Sequence, residues 1–202
     1  MRSSYHHGDL RNALVAEAGI VLEEVGAEGL TFRGLARRLG VSHAAPGHHF
    51  SDRRALLQEL AAQGYQTLSG ALRAAAGGAI SPDVPEVSPL SCVGLAYVTF
   101  GLRSPQRYRL MFTSNLLGND ASADLVAAAA GTYLELLIAV GAEPIPGSLP
   151  HGGGADADRS NALSAWSLVH GLVMLLIDGQ LGEPPAPAAT AEFVLPILAR
   201  LR

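Results

Sequence analysis

An all-α fold is what this sequence predicts, and three observations predict it. Apolar residues recur at spacings of three and four along most of the chain, alternation of period two is nearly absent, and the apolar runs sit between capping residues and glycines. In the first helix Leu14, Ala18, Val21, Leu22 and Val25 share one stripe, with Asp9 placed to cap its start and Gly26 placed just past its end. Phe32, Leu35, Ala36 and Leu39 make a shorter second helix opened by Thr31 and closed by Gly40. Ser42 offers another N-cap two residues later, which predicts a third helix of about two turns before Phe50. Leu56, Leu57, Leu60, Ala61, Tyr65, Leu68 and Leu72 predict a longer fourth helix starting near Ser51. Further helices are expected over Leu90 to Leu102, Pro105 to Phe112, Ala123 to Val140, Asp158 to Leu181 and Ala188 to Leu201. Two Pro/Gly-rich stretches, Gly77 to Pro89 and Gly141 to Gly154, read as loops between helix pairs.

Composition narrows the function classes. Of 202 residues 49% are hydrophobic and 16% charged, which excludes a disordered chain, and a single cysteine, Cys92, excludes a disulfide scaffold and a thiolate zinc cluster. The longest apolar stretch, Ala162 to Ile177, falls short of the roughly 20 residues of a membrane span and contains Ser164, Ser167 and His170, so it reads as a buried helix. Met1 to Gly8 lacks the succession of a signal peptide, and a cytoplasmic protein without a membrane partner is the expectation. The net charge of −4, with no lysine among the 14 basic residues, argues against nucleic acid. That charge is unevenly spread: in Met1 to Arg54 seven arginines meet six acids and five histidines, whereas seven arginines meet twelve acids from Ala55 onward. Residues 1–54 and 55–202 are accordingly expected to be two domains, the acidity belonging to the second.

Within the first, Thr31 to Leu39 and Ser42 to His49 are two short helices joined by a tight turn, the pattern of a helix-turn-helix over about 31–50 whose second member enters a DNA major groove. Phe32, Leu35, Val41 and Phe50 build its small core, and Arg33, Arg37 and Arg38 are expected to be available to phosphates. His43, Ala44, Ala45, Gly47 and His48 form the groove-facing set, in which alanine methyls can touch thymine methyls. Thr31, Arg33, His49 and Arg53 are expected to hold the DNA backbone, and Ser42 is counted in the same interface. With arginine as the sole permanent cation, nonspecific binding is expected to be weak and to improve as histidines protonate toward pH about 6. The histidines have no cysteine or carboxylate at ligand spacing, so no metal and no cofactor is expected. Neither a Ser/His/Asp arrangement nor HExxH appears, so no catalytic residue is assigned.

The stretch YHHGDLRNALVAEAG, followed by LTFRGLARRLGVSHAAPGHHFSDRRALL, resembles the N-terminal domain of the TetR family of transcriptional regulators over Tyr5 to about Tyr65. AWSLVHGLVMLLIDGQL, with Trp166, His170 and Gly171, is similar to the ligand-binding domain of the subfamily named for its Trp-His-Gly signature, and YVTFGLRSPQRYRLMF fits the same subfamily. The resemblance implies a homodimeric repressor, each protomer reading half of a palindromic operator in double-stranded DNA and releasing it when a small-molecule effector binds. It also implies that Ser160 to Leu181 and Ala188 to Leu201 pair across a two-fold axis, in keeping with the apolar stripe Thr190, Phe193, Val194, Ile197 and Leu201. Where the family places a tyrosine two positions before the closing His-Phe, this chain has Gly47, preceded by Pro46. Both weaken a helix there, and Gly34 weakens the supporting one. The alternative reading is therefore a relative that keeps the fold, has lost operator binding and acts as a dimeric small-molecule-binding protein.

Pockets in such domains are mostly apolar with a few placed polar groups, and an aromatic content of 5% leaves few residues to line one. Tyr97, Phe100, Arg103, Tyr108, Phe112, Trp166, His170 and Met174 are the expected set, with Arg103 or Arg107 as the contact for an acidic effector. For His170 the favoured reading is a core histidine satisfied by a neighbour, with a polar handle in the pocket as the sharper alternative. Cys92 reads as a small hydrophobe in a buried helix.

Overall fold

Helix follows helix through the computed structural model, which describes residues 7–77, 88–112, 120–141 and 157–199. The expected capping side chain of Asp9, the larger part of both Pro/Gly-rich stretches, and Leu201 lie outside the described residues. Within them there are eight α-helices and no strand: α1 (His7–Gly29), α2 (Phe32–Leu39), α3 (Arg53–Ala76), α4 (Pro89–Arg103), α5 (Pro105–Met111), α6 (Ala123–Ala139), α7 (Ala157–Ile177) and α8 (Thr190–Leu198). The all-α expectation holds.

Helix boundaries follow local chemistry. Gly26 breaks α1 with φ 73° and ψ 175°, leaving Ala27–Gly29 as a last turn beyond the kink. Thr31 caps α2 by accepting the Gly34 N–H at 3.1 Å. Gly40, at φ 66°, ends it in a paired motif: its N–H donates to the Arg37 carbonyl at 3.3 Å and the Val41 N–H to the Ala36 carbonyl at 3.0 Å. The same motif stops α7 short of the expected Leu181, since Gly179 (φ 70°) donates to Leu176 and Gln180 to Leu175. Asp52, rather than Ser51, opens α3 by accepting the Ala55 N–H at 2.8 Å.

The chain divides into two compact units, one of Met1–Gly64 with Gln106–Val126, the other of Tyr65–Pro105 with Ala127–Arg202. The boundary thus falls inside α3, and the first unit takes in α5, which lies far along the chain. Its core joins Leu14, Ala18 and Leu22 of α1, Leu35 and Ala36 of α2, Phe50, and Leu56 and Leu60 of α3, while Phe32 and Val41 are half-buried beside them. In the second unit α4 packs against both α7 and α8. Val93, Tyr97 and Val98 of α4, Val169 and Val173 of α7, and Val194 and Leu198 of α8 are all buried in that core. Gly94 permits the approach, because a Cβ there would lie 2.8 Å from Leu198 Cδ1. By length and composition alone α7 contains one stretch, Ser160–Ile177, that could cross a membrane, a test that the core helix of a globular protein also passes, and at 18 residues it is two longer than the apolar run seen in the sequence. Its buried side, Val169, Leu172, Val173 and Leu176, belongs to the core of the second unit.

Candidate nucleic-acid interface and effector cleft

The third helix departs most from expectation. Instead of two α-turns, Ala45–His48 form a short 3₁₀ helix. Ala45 N–H donates to the Ser42 carbonyl at 3.0 Å and Gly47 N–H to Ala44 at 3.1 Å, whereas Pro46 has no N–H to donate. The missing donor and the flexible Gly47 leave i to i+3 bonds as the accessible ladder, which explains the tighter winding. The His49 and Phe50 N–H groups both close on the Pro46 carbonyl, at 3.1 and 3.0 Å, and the Pro46 ring itself is buried. Ser42, His43, Ala44, Gly47 and His48 remain exposed, with Ala45 and His49 half-buried. A Cβ built on Gly47 would meet nothing within 4 Å.

Behind this turn the arginines have distinct employments. Arg33 and Arg37 of α2 and Arg54 of α3 are exposed, and among the described residues none of them forms an ion pair. Arg38, expected to serve phosphates, is instead clasped by two carboxylates of α1: its Nε donates to Glu17, and Nη1 and Nη2 donate to Glu24 at 2.5 and 3.1 Å. The hydrogen bond from Arg38 holds the Glu24 carboxyl below its usual range. Arg53 donates from Nε to the Leu30 carbonyl at 2.8 Å and from Nη2 to the Ala27 carbonyl, so these nitrogens serve the end of α1. Arg11 bonds Glu59 at 2.8 Å and lies over the Phe50 ring, 5.0 Å from its centroid. Thr31, exposed at the start of α2, uses its hydroxyl oxygen as the cap described above. Gly34 stands where an added Cβ would press on that oxygen at 3.0 Å, so its cost in helix propensity comes with room for the cap.

The expected effector set does not converge on one place. Phe100 and Arg103 line a cleft of about 630 Å³ in the second unit, between Thr67, Ala71, Ala74 and Ala75 of α3 and Leu95, Ala96 and Thr99 of α4, with Ser104 at its end. Tyr97, Trp166 and His170 form a separate polar cluster. Trp166 Nε1–H donates to the Tyr97 hydroxyl at 3.0 Å, and that hydroxyl lies 3.5 Å from His170 Nδ1. Tyr133 packs obliquely on Trp166 at 6.1 Å between centroids. Burial lowers the pKa of His170. It also raises that of Tyr65, with the neighbouring Tyr97 adding to the effect. Met174 is half-buried on α7. Tyr108 and Phe112 belong to the first unit, where their rings meet at 4.8 Å, and Arg107 of the same unit lies against Gly19. On α8, Val194 is fully buried in its own chain, Ile197 is half-buried and Phe193 is 40% exposed.

Sequence reasoning passed over Glu23 and Gln58. Glu23 accepts the Gln106 and Arg107 N–H groups, each at 3.0 Å. The buried Gln58 amide donates to the Asp120 carbonyl at 3.0 Å and accepts the Ser122 N–H at 3.2 Å. No local signal announces partners more than sixty residues away. The helical spacing of Thr67, Ala71, Ala74 and Ala75 was visible, but alanines in a helix read first as good helix formers.

An exposed turn braced on a three-helix core, joined to a larger helical unit, defines a helix-turn-helix regulator. Known proteins agree with that class. The model of bacterial regulatory proteins of the tetR family matches residues 14–60, and that of the tetracyclin repressor-like C-terminal domain matches residues 90–198. The chain belongs to the TetR family of DNA-binding transcriptional regulators, a family of regulators and not of enzymes. A solved protein of unknown function from Rhodococcus sp. RHA1 is 32% identical, with 98% of each chain covered and a TM-score of 0.72. The solved regulatory-protein candidate SCO4313 is 26% identical over 98% of each chain, at a TM-score of 0.69. Tetracycline repressor protein class C of Escherichia coli is 51% identical over 51 residues, which are 25% of this chain and 23% of that protein. The likeness to this curated relative thus spans about a quarter of its length.

Proposed function

We propose that this chain is a cytoplasmic repressor of the Trp-His-Gly subfamily that binds a palindromic operator as a homodimer and leaves it when a small molecule occupies its second domain. Residues 1–54 supply the DNA-binding domain and residues 55–202 the effector and dimer domain. The observation that carries the reading is the exposed face of Ser42, His43, Ala44, Gly47 and His48, flanked by the exposed Arg33 and Arg37, within a segment that matches the family's DNA-binding model. His43, Ala44, Ala45 and His48 read base edges. Thr31, Ser42, Arg33 and His49 position the duplex, and Arg53 acts there through the end of α1 that it holds.

For the effector, the cleft with Phe100 and Arg103 supports a largely apolar molecule with an anionic group, its volume lying within the usual range of about 300–1,000 Å³ for such sites. Tyr97, Trp166 and His170 stiffen the neighbouring α4 and α7. A second copy of the chain covers Phe193 and Ile197 of α8 together with Leu163 and Leu175 of α7, where Phe193 and both leucines are exposed in the single chain. Val194 supports that face from within.

The test is selection of genomic fragments by the purified protein, followed by titration of the retained duplex at several salt concentrations. Arg33, Arg37 and Arg54, exposed and outside the ion pairs, give three arginines per protomer and six in a dimer, which set the slope of log affinity against log salt at about −5, since each neutralised phosphate contributes about −0.9. Binding that ignores both salt and sequence would refute the repressor reading. Retention of no fragment by a protein that still dimerises and binds small molecules would select the alternative of a dimeric small-molecule-binding protein, which the short 3₁₀ turn favours.

A further inference from the structure

The helix α5 enters the first unit under unusual control. It opens with Pro105, and the next two backbone N–H groups, of Gln106 and Arg107, have no partner within their own helix. Both are taken by one carboxylate of α1: Glu23 Oε2 accepts from Gln106 and Oε1 from Arg107, each at 3.0 Å. The flanking helices are hollowed to admit α5. A Cβ on Gly19, one turn before Glu23, would lie 2.6 Å from an Arg107 guanidinium nitrogen, and a Cβ on Gly64 of α3 would lie 2.6 Å from Met111 Sδ. Gly26, beyond Glu23 on the same helix, would bring a Cβ to 3.4 Å from Gln106 Oε1. Two interior glycines cost helix propensity, and close approach of α5 is what they permit.

In the chain, the residues immediately before this cap are Arg103 and Ser104, which line the cleft of the second unit. Ser104 is tied to α4 through its N–H on the Phe100 carbonyl at 3.1 Å, and Phe100 lines the same cleft. Any molecule that shifts the end of α4 therefore pulls, through two peptide bonds, on the backbone that Glu23 holds. We infer that Glu23 is the positioning residue through which occupancy of the cleft is felt by α1 and hence by the helix-turn-helix built on it. This rests on the reading of the cleft as the effector site.

The experiment uses the full chain and a tryptophan side chain as a resident occupant of the cleft, introduced as Ala71→Trp or, at the exposed wall, Ala74→Trp. Each is made with Glu23 intact and with Glu23→Gln, and operator affinity is titrated. With the carboxylate present the tryptophan should weaken operator binding about tenfold, and with glutamine less than about twofold. Equal loss in both backgrounds overturns the proposal. Hydrogen exchange of the same proteins separates this result from failure of the repressor reading. Even if no duplex binds, tryptophan should speed exchange of the Gln106 and Arg107 amides and of α1 around Gly19 to Gly26 only where Glu23 is present. Exchange in α1 that responds alike in both backgrounds also overturns the proposal.

Discussion

The two units hold themselves together by different means. In the first, charged side chains tie helix to helix: Arg38 joins Glu17 and Glu24, Arg11 joins Glu59, Arg53 holds carbonyls at the end of α1, and Glu23 caps α5. In the second, uncharged groups do most of that work, through Trp166 on Tyr97, Thr132 on the Tyr65 carbonyl at 2.9 Å, and apolar contacts around Gly94. Arg73 with Glu135 is the ion pair of that unit among the described residues. The difference bears on function. A unit that uses its arginines as braces keeps few for phosphates, so rigidity and DNA affinity draw on the same small set of cations. The acidic second unit is under no such competition and builds its interior from groups that carry no charge.

The comparison can be broken first at Tyr97. Tyr97→Phe keeps the ring and removes the hydroxyl that accepts from Trp166, and should cost about 1–2 kcal/mol in chemical unfolding with no direct effect on the first unit's ion pairs. A neutral result would show that the Trp166–Tyr97 hydrogen bond adds nothing to the second unit beyond the packing of the ring. Next comes the exposed turn. Gly47→Tyr has open space for its side chain and removes backbone freedom that the other end of the turn, fixed by Pro46, does not share. Operator affinity should rise about fivefold, equivalent to about 1 kcal/mol. Unchanged or weaker binding would show that stiffness of the turn does not limit recognition.

The smallest effect concerns His170. Burial lowers its pKa in the folded chain, so the unfolded chain takes up the proton first as pH falls. Stability is therefore full above the ordinary histidine range and is lost as pH drops through it. The melting temperature should be lower at about pH 5.5 than at about pH 7.5, and His170→Gln should flatten that part of the profile. An unchanged profile in the variant would assign the pH dependence to other groups.

Much of this architecture was legible beforehand because it is local. Thr31 and Gly40 mark the ends of α2 through contacts spanning only a few residues, and the apolar stripes of α1, α2 and α3 point, apart from the exposed Val25, to the side that became core, whereas the stop at Gly179 was not anticipated. Pro46 and Gly47 were legible as a weakness. What they produced, a four-residue 3₁₀ helix, required knowing that the turn is also pinned by the buried Pro46 ring. The candidate sites were legible only in part. The residues expected to face the groove are exposed apart from the half-buried Ala45, but Arg38 and Arg53 turned out to brace the fold, and seven of the eight expected effector residues separated among a cleft, a polar cluster and an aromatic pair in the other unit, with Met174 half-buried apart from them on α7.

The sequence by itself determined the all-α class, the position of the helix-turn-helix and most helix ends, since each depends on interactions among near neighbours in the chain. Only the tertiary structure decided which arginines stay available to DNA, which way Val194 faces, and that Glu23 finds backbone donors 83 and 84 residues away. The physical reason is that a carboxylate or guanidinium has many acceptable partners of similar energy, and packing alone selects the one within reach.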